Sequence, residues 1–181
     1  MFCCVKVKII KIFEESKLFI IKIKLNIKKN ILFEPEDKII AWKKLLTEAL
    51  GINGQIIIDL IPQAELIIGK QEPLTIVSSM EAQIRFSSVL EKFIRVFATQ
   101  EHPLTIFLDD LQWTDSASLN LIKQLITNPE NRYILLVGAY RDNEVNPSHP
   151  LMITLDEIRN QHIQINEITL QSLSQTSVKQ L

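Results

Sequence analysis

Residues 104–115, LTIFLDDLQWTD, decide the fold of this protein. A nearly continuous apolar run over 104–108 is followed at once by two acids, Asp109 and Asp110. Continuous apolar character, as opposed to alternation, is typical of a parallel strand covered on both faces. The carboxyl ends of such strands are where α/β sheets bind ligands. We therefore predict a buried strand over 104–108 with a candidate site at its end.

Helical and strand patterns alternate on both sides of this run. Residues 133–139 (YILLVGA) predict a second buried strand, and the alternation over 163–170 predicts a strand nearer an edge. Helical periodicity covers 38–50, 81–99, 116–127 and 149–159. We expect Gly51 to end the first helix, Ser78 or Ser79 to cap the second, and Ser174 to begin a further one. This order predicts an α/β layered domain with a parallel sheet.

The N-terminal segment differs from the rest in composition. Residues 1–30 contain eight Lys against Glu14 and Glu15. Val or Ile alternates with Lys over 5–28, which predicts two short amphipathic strands around residues 14–17. A basic surface for a membrane or nucleic acid is one interpretation. A solvated hairpin or a low-complexity tail is favoured, because no aromatic or arginine side chains are interleaved with the lysines.

Bulk properties exclude several classes of protein. The chain has 181 residues, 46% of them apolar and 23% charged, with a net charge of −1, as in one soluble domain without a global attraction to nucleic acid. Lysines interrupt the N-terminal apolar runs, so neither a membrane helix nor a signal peptide is predicted. The adjacent Cys3 and Cys4 have no further Cys or His at metal-ligand spacing. We expect a cytoplasmic location.

The acid pair lies in a dense polar cluster. Gln112, Trp113 and Asp115 follow Asp109 and Asp110, which is more than capping of the next helix requires. Magnesium prefers one or two carboxylates together with waters and phosphate oxygens. One acid of the pair can therefore hold the metal, while the second orients or deprotonates an attacking water. For Asp115, the N-cap of the following helix is the favoured interpretation.

Arg141 follows the second apolar strand. An arginine at the tip of a strand beside the acid strand can reach a γ-phosphate and respond to its presence. Alternatively, Arg141 pairs with Asp142, Glu144 or Asp110 and closes its own loop. Spacing alone leaves both interpretations open.

Three runs together resemble one family of nucleotide-dependent modules. The runs are TIFLDDLQWTDSASLNLI, ILLVGAYRDNEVNPSHPLMITLDEIR and INEITLQSLSQTSVKQL. They look like the AAA-type ATPase module of the STAND class, as found in large bacterial serine/threonine kinases and hybrid sensor histidine kinases. Two upstream runs, AWKKLLTEALGINGQIIIDLIPQAELIIGK and EAQIRFSSVLEKFIRVF, extend the resemblance over residues 32–181, whereas 1–31 is unmatched.

This resemblance implies a P-loop NTPase core of three layers. It implies Asp109 as the Walker B magnesium acid, Asp110 as the catalytic acid and Arg141 at the sensor-1 position. Mg²⁺ and ATP are the implied cofactors, and attached or separate kinase and sensor domains are the implied partners.

The sequence departs from the family in its phosphate-binding loop. Such modules carry G-x-x-x-x-G-K-[ST] (Walker A), which this sequence does not contain. Its only Gly-Lys, Gly69-Lys70, lacks the first Gly and the Ser or Thr that binds magnesium. In this class the loop strand lies beside the strand ending at Arg141. The N-terminal strands could fill that place, although alternating lysines suit a strand with one wet face better than one covered on both sides.

We therefore expect a partial core that lacks the Walker A strand and has a shortened lid region at its C-terminus. Such a chain should bind ATP poorly and hydrolyse it negligibly. Three hypotheses follow: a fragment of an ATP-driven signalling switch, which is favoured; an interaction or scaffold module that kept the fold; and an ATPase half completed in trans by a loop-bearing chain.

Overall fold

The computed structural model describes residues 5–10 and 35–170. The second predicted N-terminal strand, the two cysteines and the helix expected after Ser174 lie outside these residues. The described chain divides into two compact units. The helical unit lies within Lys17–Leu104 and Asn131–Tyr133. The unit that holds the sheet lies within Met1–Ser16, Thr105–Glu130 and Ile134–Leu181.

Four α-helices lie in the described part of the helical unit. They are α1 (Glu36–Leu50), α2 (Gly54–Leu60), α3 (Glu65–Ile68) and α4 (Ser79–Phe97). Gly51, with a φ of 53°, ends α1 as predicted, since its backbone conformation is one that favours glycine. Ser78 caps α4 through a capping box: its hydroxyl accepts from the Glu81 N–H, and the Glu81 carboxylate accepts from the Ser78 N–H.

Aromatic packing joins α1 to α4. The Phe97 ring stacks on Trp42 at a centroid distance of 5.2 Å and meets the buried Phe93 edge-on at 5.0 Å. The helix predicted here is confirmed, and four of its apolar residues are buried: Val89, Leu90, Phe93 and Ile94. These contacts supply the core of the helical unit.

The second unit contains a four-stranded sheet in the order β2-β3-β1-β4. The strands are β1 (Val5–Ile10), β2 (Leu104–Leu108), β3 (Ile134–Arg141) and β4 (Ile165–Leu170). β2 and β3 are parallel neighbours, as the apolar runs predicted. β1 is antiparallel to both β3 and β4. The sheet is therefore mixed, and the prediction of a parallel sheet holds for β2 and β3.

β1 lies where the sequence predicted an unfilled strand position. Val5 is opposite Arg141, and Val7 is opposite both Ala139 and Ile168. The N-terminal strand fills the place beside β3, an arrangement that the sequence allowed but did not favour. The reason lies in β4, because Ile168 and Leu170 are 45% and 49% exposed and this side of the sheet is not covered on both faces. One edge of β1 pairs with β3 and the other with β4. β1 is therefore not paired with the neighbouring N-terminal segment in the hairpin that the sequence suggested.

Among the described residues of the sheet unit, two α-helices pack against each other. They are α5 (Ser116–Thr127) and α6 (Pro150–Arg159). The Lys123 ammonium lies 2.7 Å from the Glu157 carboxylate and joins the two helices. None of the described helices has the length and apolar character needed to cross a bilayer.

Candidate functional site

The chain turns sharply at the carboxyl end of β2. Asp109 is exposed, and its Oδ1 accepts a hydrogen bond from the Asp110 N–H at 3.0 Å. Asp110 has left-handed backbone angles (φ 54°, ψ 39°), a conformation that Asp tolerates better than most residues. A 3-10 turn, Leu111–Trp113, begins there, and the Trp113 N–H donates to the Asp110 carbonyl at 3.0 Å. The turn places both carboxyl groups at the end of the strand.

Gln112 bridges the ends of β2 and β3. Its side chain is 5% exposed. The amide Nε2 donates to Asp110 Oδ1 at 2.9 Å, and Oε1 accepts from the Arg141 backbone N–H at 3.2 Å. Sequence reasoning counted Gln112 in the polar cluster and assigned it no role, because its bond to Arg141 joins residues 29 positions apart.

Arg141 points back towards the acid pair. Its Nη1 lies 2.9 Å from Glu144 Oε1, and its Nη2 lies 3.6 Å from Asp110 Oδ1. The guanidinium carbon also lies 5.0 Å from the centroid of the Trp113 ring, within cation–π range. The structure therefore brings Asp110 and Arg141 together, and Arg141 forms two of the ion pairs considered from the sequence. Trp113 is 66% exposed, so this cluster opens to solvent.

Asp115 belongs to the following helix. Its Oδ1 accepts from the Ser118 N–H at 2.8 Å, and its Oδ2 accepts from the Ser118 hydroxyl at 3.0 Å. The bond from the Ser118 backbone N–H holds the pKa of Asp115 below its ordinary value, since it favours the charged carboxylate. The N-cap interpretation is confirmed.

Gly138 lies beneath the 3-10 turn that follows the acid pair, against Leu111. An added Cβ at this position of β3 would lie 2.5 Å from Leu111 Cδ1, much closer than atoms pack. Leu111 is 3% exposed and is the first residue of the 3-10 turn. The absent side chain at Gly138 therefore gives this turn room to settle on β3, a constraint that the sequence pattern did not reveal.

Gly69 and Lys70 follow the end of a helix. Gly69 has a φ of 76° directly after α3. The carbonyls of Ile68, Gly69 and Lys70 all face the Gln71 amide, which donates to them at 3.2 to 3.4 Å. Phosphates bind where backbone N–H groups converge at a helix N-terminus. In this segment carbonyl oxygens converge instead, which is unsuitable for an anion.

The acid pair is compatible with magnesium. Within residues 5–10 and 35–170, no three acidic, His or Cys groups cluster as a complete metal cage. Magnesium does not require one, because it usually keeps several waters and binds one or two carboxylates plus substrate phosphate oxygens. The exposed Asp109 carboxylate, with Asp110 beside it, meets that requirement.

Comparison with known proteins relates the chain to one family of ATPase domains. The profile of the AAA ATPase domain family matches residues 19–137. The chain is also 40% identical over 85 residues to the hybrid signal transduction histidine kinase G of Dictyostelium discoideum, an alignment covering 47% of this chain. That stretch is 2% of the length of the relative. No solved structure gives a significant match.

Proposed function

Because the chain belongs to the AAA ATPase domain family, we propose that it supplies the magnesium side of an ATP-dependent signalling switch. The observation that carries this proposal is the position of Asp109 and Asp110 at the end of β2, with Arg141 of β3 beside them. The match to a hybrid histidine kinase supports a signalling role, with attached or separate kinase and sensor domains as partners. The STAND class, the three-layer core over residues 32–181 and the cytoplasmic location belong to the same proposal.

Asp109 and Asp110 have different roles in this proposal. Asp109 is the more exposed acid, and it holds Mg²⁺ together with water molecules. The ion neutralises charge on the nucleotide phosphates when it is bound. Asp110 orients the attacking water and accepts its proton, since one of its oxygens is already fixed by Gln112.

Arg141 exchanges partners in this proposal. Its guanidinium leaves Asp110 and turns to the terminal phosphate, for which its planar donors are well suited. The side chains of Arg141 and Asp110 are 40% and 41% exposed. An ion pair that exposed contributes about 1 kcal/mol or less, so the exchange costs little.

We further propose that this polypeptide alone binds ATP weakly and hydrolyses it negligibly. The sequence contains no G-x-x-x-x-G-K-[ST] motif, and backbone amides of that loop supply most phosphate binding in such enzymes. The carbonyls around Gly69 and Lys70 offer no substitute. β1 fills the position beside β3, so a strand supplied by a loop-bearing chain would have to displace it.

A titration with ATP, with and without Mg²⁺, tests both parts of the proposal. Asp109→Asn is compared with Glu101→Gln, which removes an exposed carboxylate outside the acid pair. We expect magnesium-dependent binding with a Kd of about 1 mM or weaker, lost in Asp109→Asn and retained in Glu101→Gln. Micromolar affinity would contradict the weak-binding part. ATP binding that is equally strong without Mg²⁺, or in Asp109→Asn, would contradict the assignment of the acid pair as the magnesium site.

A further inference from the structure

Gln112 is one of two buried polar residues among the residues that the structure describes, the other being Asn131. A buried amide is costly unless its donor and its acceptor are both satisfied, and leaving one unsatisfied costs about 1–3 kcal/mol. Both ends of Gln112 are satisfied, one by Asp110 and the other by Arg141. The residue is therefore held by two groups that belong to different strand ends.

The orientation of this amide is determined by its partners. A carboxylate only accepts hydrogen bonds, and a backbone N–H only donates them. With the amide reversed, its oxygen would face the Asp110 carboxylate and its NH₂ group would face the Arg141 N–H, and both contacts would be repulsive. Only the observed orientation satisfies both neighbours. Gln112 therefore fixes the position of the Asp110 carboxylate relative to the main chain of β3.

The contacts form a closed ring of three residues. Asp110 Oδ1 receives Gln112 Nε2 at 2.9 Å and lies 3.6 Å from Arg141 Nη2. Arg141 is thus tied at its backbone to Gln112 and at its guanidinium to Asp110. When the guanidinium turns away, Gln112 still holds Oδ1.

We propose that Gln112 is a positioning residue that fixes the Asp110 carboxylate relative to the end of β3 and so couples it to Arg141. That this coupling serves nucleotide use rests on the proposed function. The coupling itself is a property of the free protein and can be measured without nucleotide.

Two substitutions separate the two bonds of Gln112. Gln112→Met keeps a flexible side chain of similar length and removes both hydrogen bonds. Gln112→Glu, when ionised, keeps an oxygen to accept from the Arg141 N–H, removes the donor to Asp110 and places a like charge beside that carboxylate. Gln124→Met is the matched control, because Gln124 is exposed on α5 of the same unit.

Amide hydrogen exchange at Arg141, measured by NMR on the full chain, tests the bond to β3. We expect Gln112→Met to speed exchange about tenfold, the factor for a typical lost hydrogen bond, while Gln112→Glu and Gln124→Met leave it unchanged. Unchanged Arg141 exchange in Gln112→Met would overturn the proposal. So would an equal increase throughout β3, which would indicate a merely structural role.

The indole signal of Trp113 tests the coupling to Asp110, because the Arg141 guanidinium lies over that ring. We expect Asp110→Ala and Gln112→Glu to shift this signal in the same direction. Adding Gln112→Glu to Asp110→Ala should shift it no further, because the carboxylate that Gln112 positions is gone. Additive shifts would overturn the proposal, and so would an unmoved signal in Gln112→Glu. Neither readout depends on ATP, so a failed Mg-ATP titration would overturn the proposed function alone.

Discussion

Arg141 Nη2 lies 3.6 Å from Asp110 Oδ1, and this contact joins the ends of the adjacent strands β3 and β2. Arg141 is also bound to Glu144 and lies over Trp113, so its position depends on three neighbours. Each of these contacts is at least partly exposed to solvent. The arrangement is therefore one that can change without unfolding the sheet.

Replacing Arg141 should affect ligand response more than stability. We expect Arg141→Gln to change the free energy of unfolding by about 1 kcal/mol or less, because its ion pairs are exposed. Urea denaturation measures this, with Arg159→Gln as a control, since Arg159 is 42% exposed and pairs with Asp156 and Glu167. A loss of about 3 kcal/mol or more in Arg141→Gln alone would identify Arg141 as a structural residue.

Gly138→Ala should destabilise the fold at the contact between β3 and Leu111. The new Cβ would lie 2.5 Å from Leu111 Cδ1, so the buried leucine must move. Overpacking of this kind costs about 1 to 3 kcal/mol, measured by denaturant unfolding.

A second substitution decides whether Leu111 is the cause. In a Leu111→Ala background the obstructing atoms are gone. Gly138→Ala should then stabilise the folded protein by about 0.4–1 kcal/mol, because alanine lowers the conformational entropy of the unfolded chain. If Gly138→Ala is equally destabilising in both backgrounds, the contact with Leu111 does not explain it.

Asp115→Ala should weaken the start of α5. The carboxylate accepts two hydrogen bonds from Ser118, and loss of such an N-cap typically costs about 1 kcal/mol. Thermal or urea unfolding at pH 7 measures the loss. Asp115→Asn is the matched control, because Asn also accepts the capping hydrogen bond but carries no charge.

The difference in unfolding free energy between the native chain and Asp115→Asn should depend on pH. The pKa of Asp115 is lowered in the folded state, mainly by the bond from the Ser118 N–H, so the charge stabilises the fold above the unfolded pKa of about 3.9. This contribution is lost as the pH falls through the lower, folded pKa. The stability difference between the native chain and Asp115→Asn should therefore shrink in that acidic range. A difference that stays constant from neutral pH to the acidic side of both pKa values would contradict the assignment.

Breaking β1 should expose strand edges in the sheet unit. Val7 pairs with Ala139 on one side and Ile168 on the other. Proline at this position cannot donate to the ladder, so we expect Val7→Pro to destabilise the sheet and cause self-association at the exposed edges of β3 and β4. Size-exclusion chromatography and thermal unfolding measure both effects. Val7→Thr retains a β-branched residue and should behave like the native chain; a monomeric, equally stable Val7→Pro would show that β1 is dispensable.

Local sequence determined the helices and strands on which the site is built. The apolar run over 104–108 ends in Asp109 and Asp110, and the structure has β2 with the acids directly after it. Gly51 ends α1 as its residue type predicted, and α4 is capped by Ser78, one of the two serines expected there. These features follow from neighbours a few positions apart, so the periodicity and capping chemistry of the sequence are sufficient to locate them.

Only the tertiary structure decided how these elements are joined. The sequence left the partner of Arg141 open and gave no sign that Gln112 links it to Asp110 or that Gly138 makes room for Leu111. It also left open whether β1 lies beside β3, because strand periodicity describes the faces of a strand and not which edge it will join. The physical reason is common to all of them: each depends on groups distant in sequence that folding brings within hydrogen-bonding or van der Waals range.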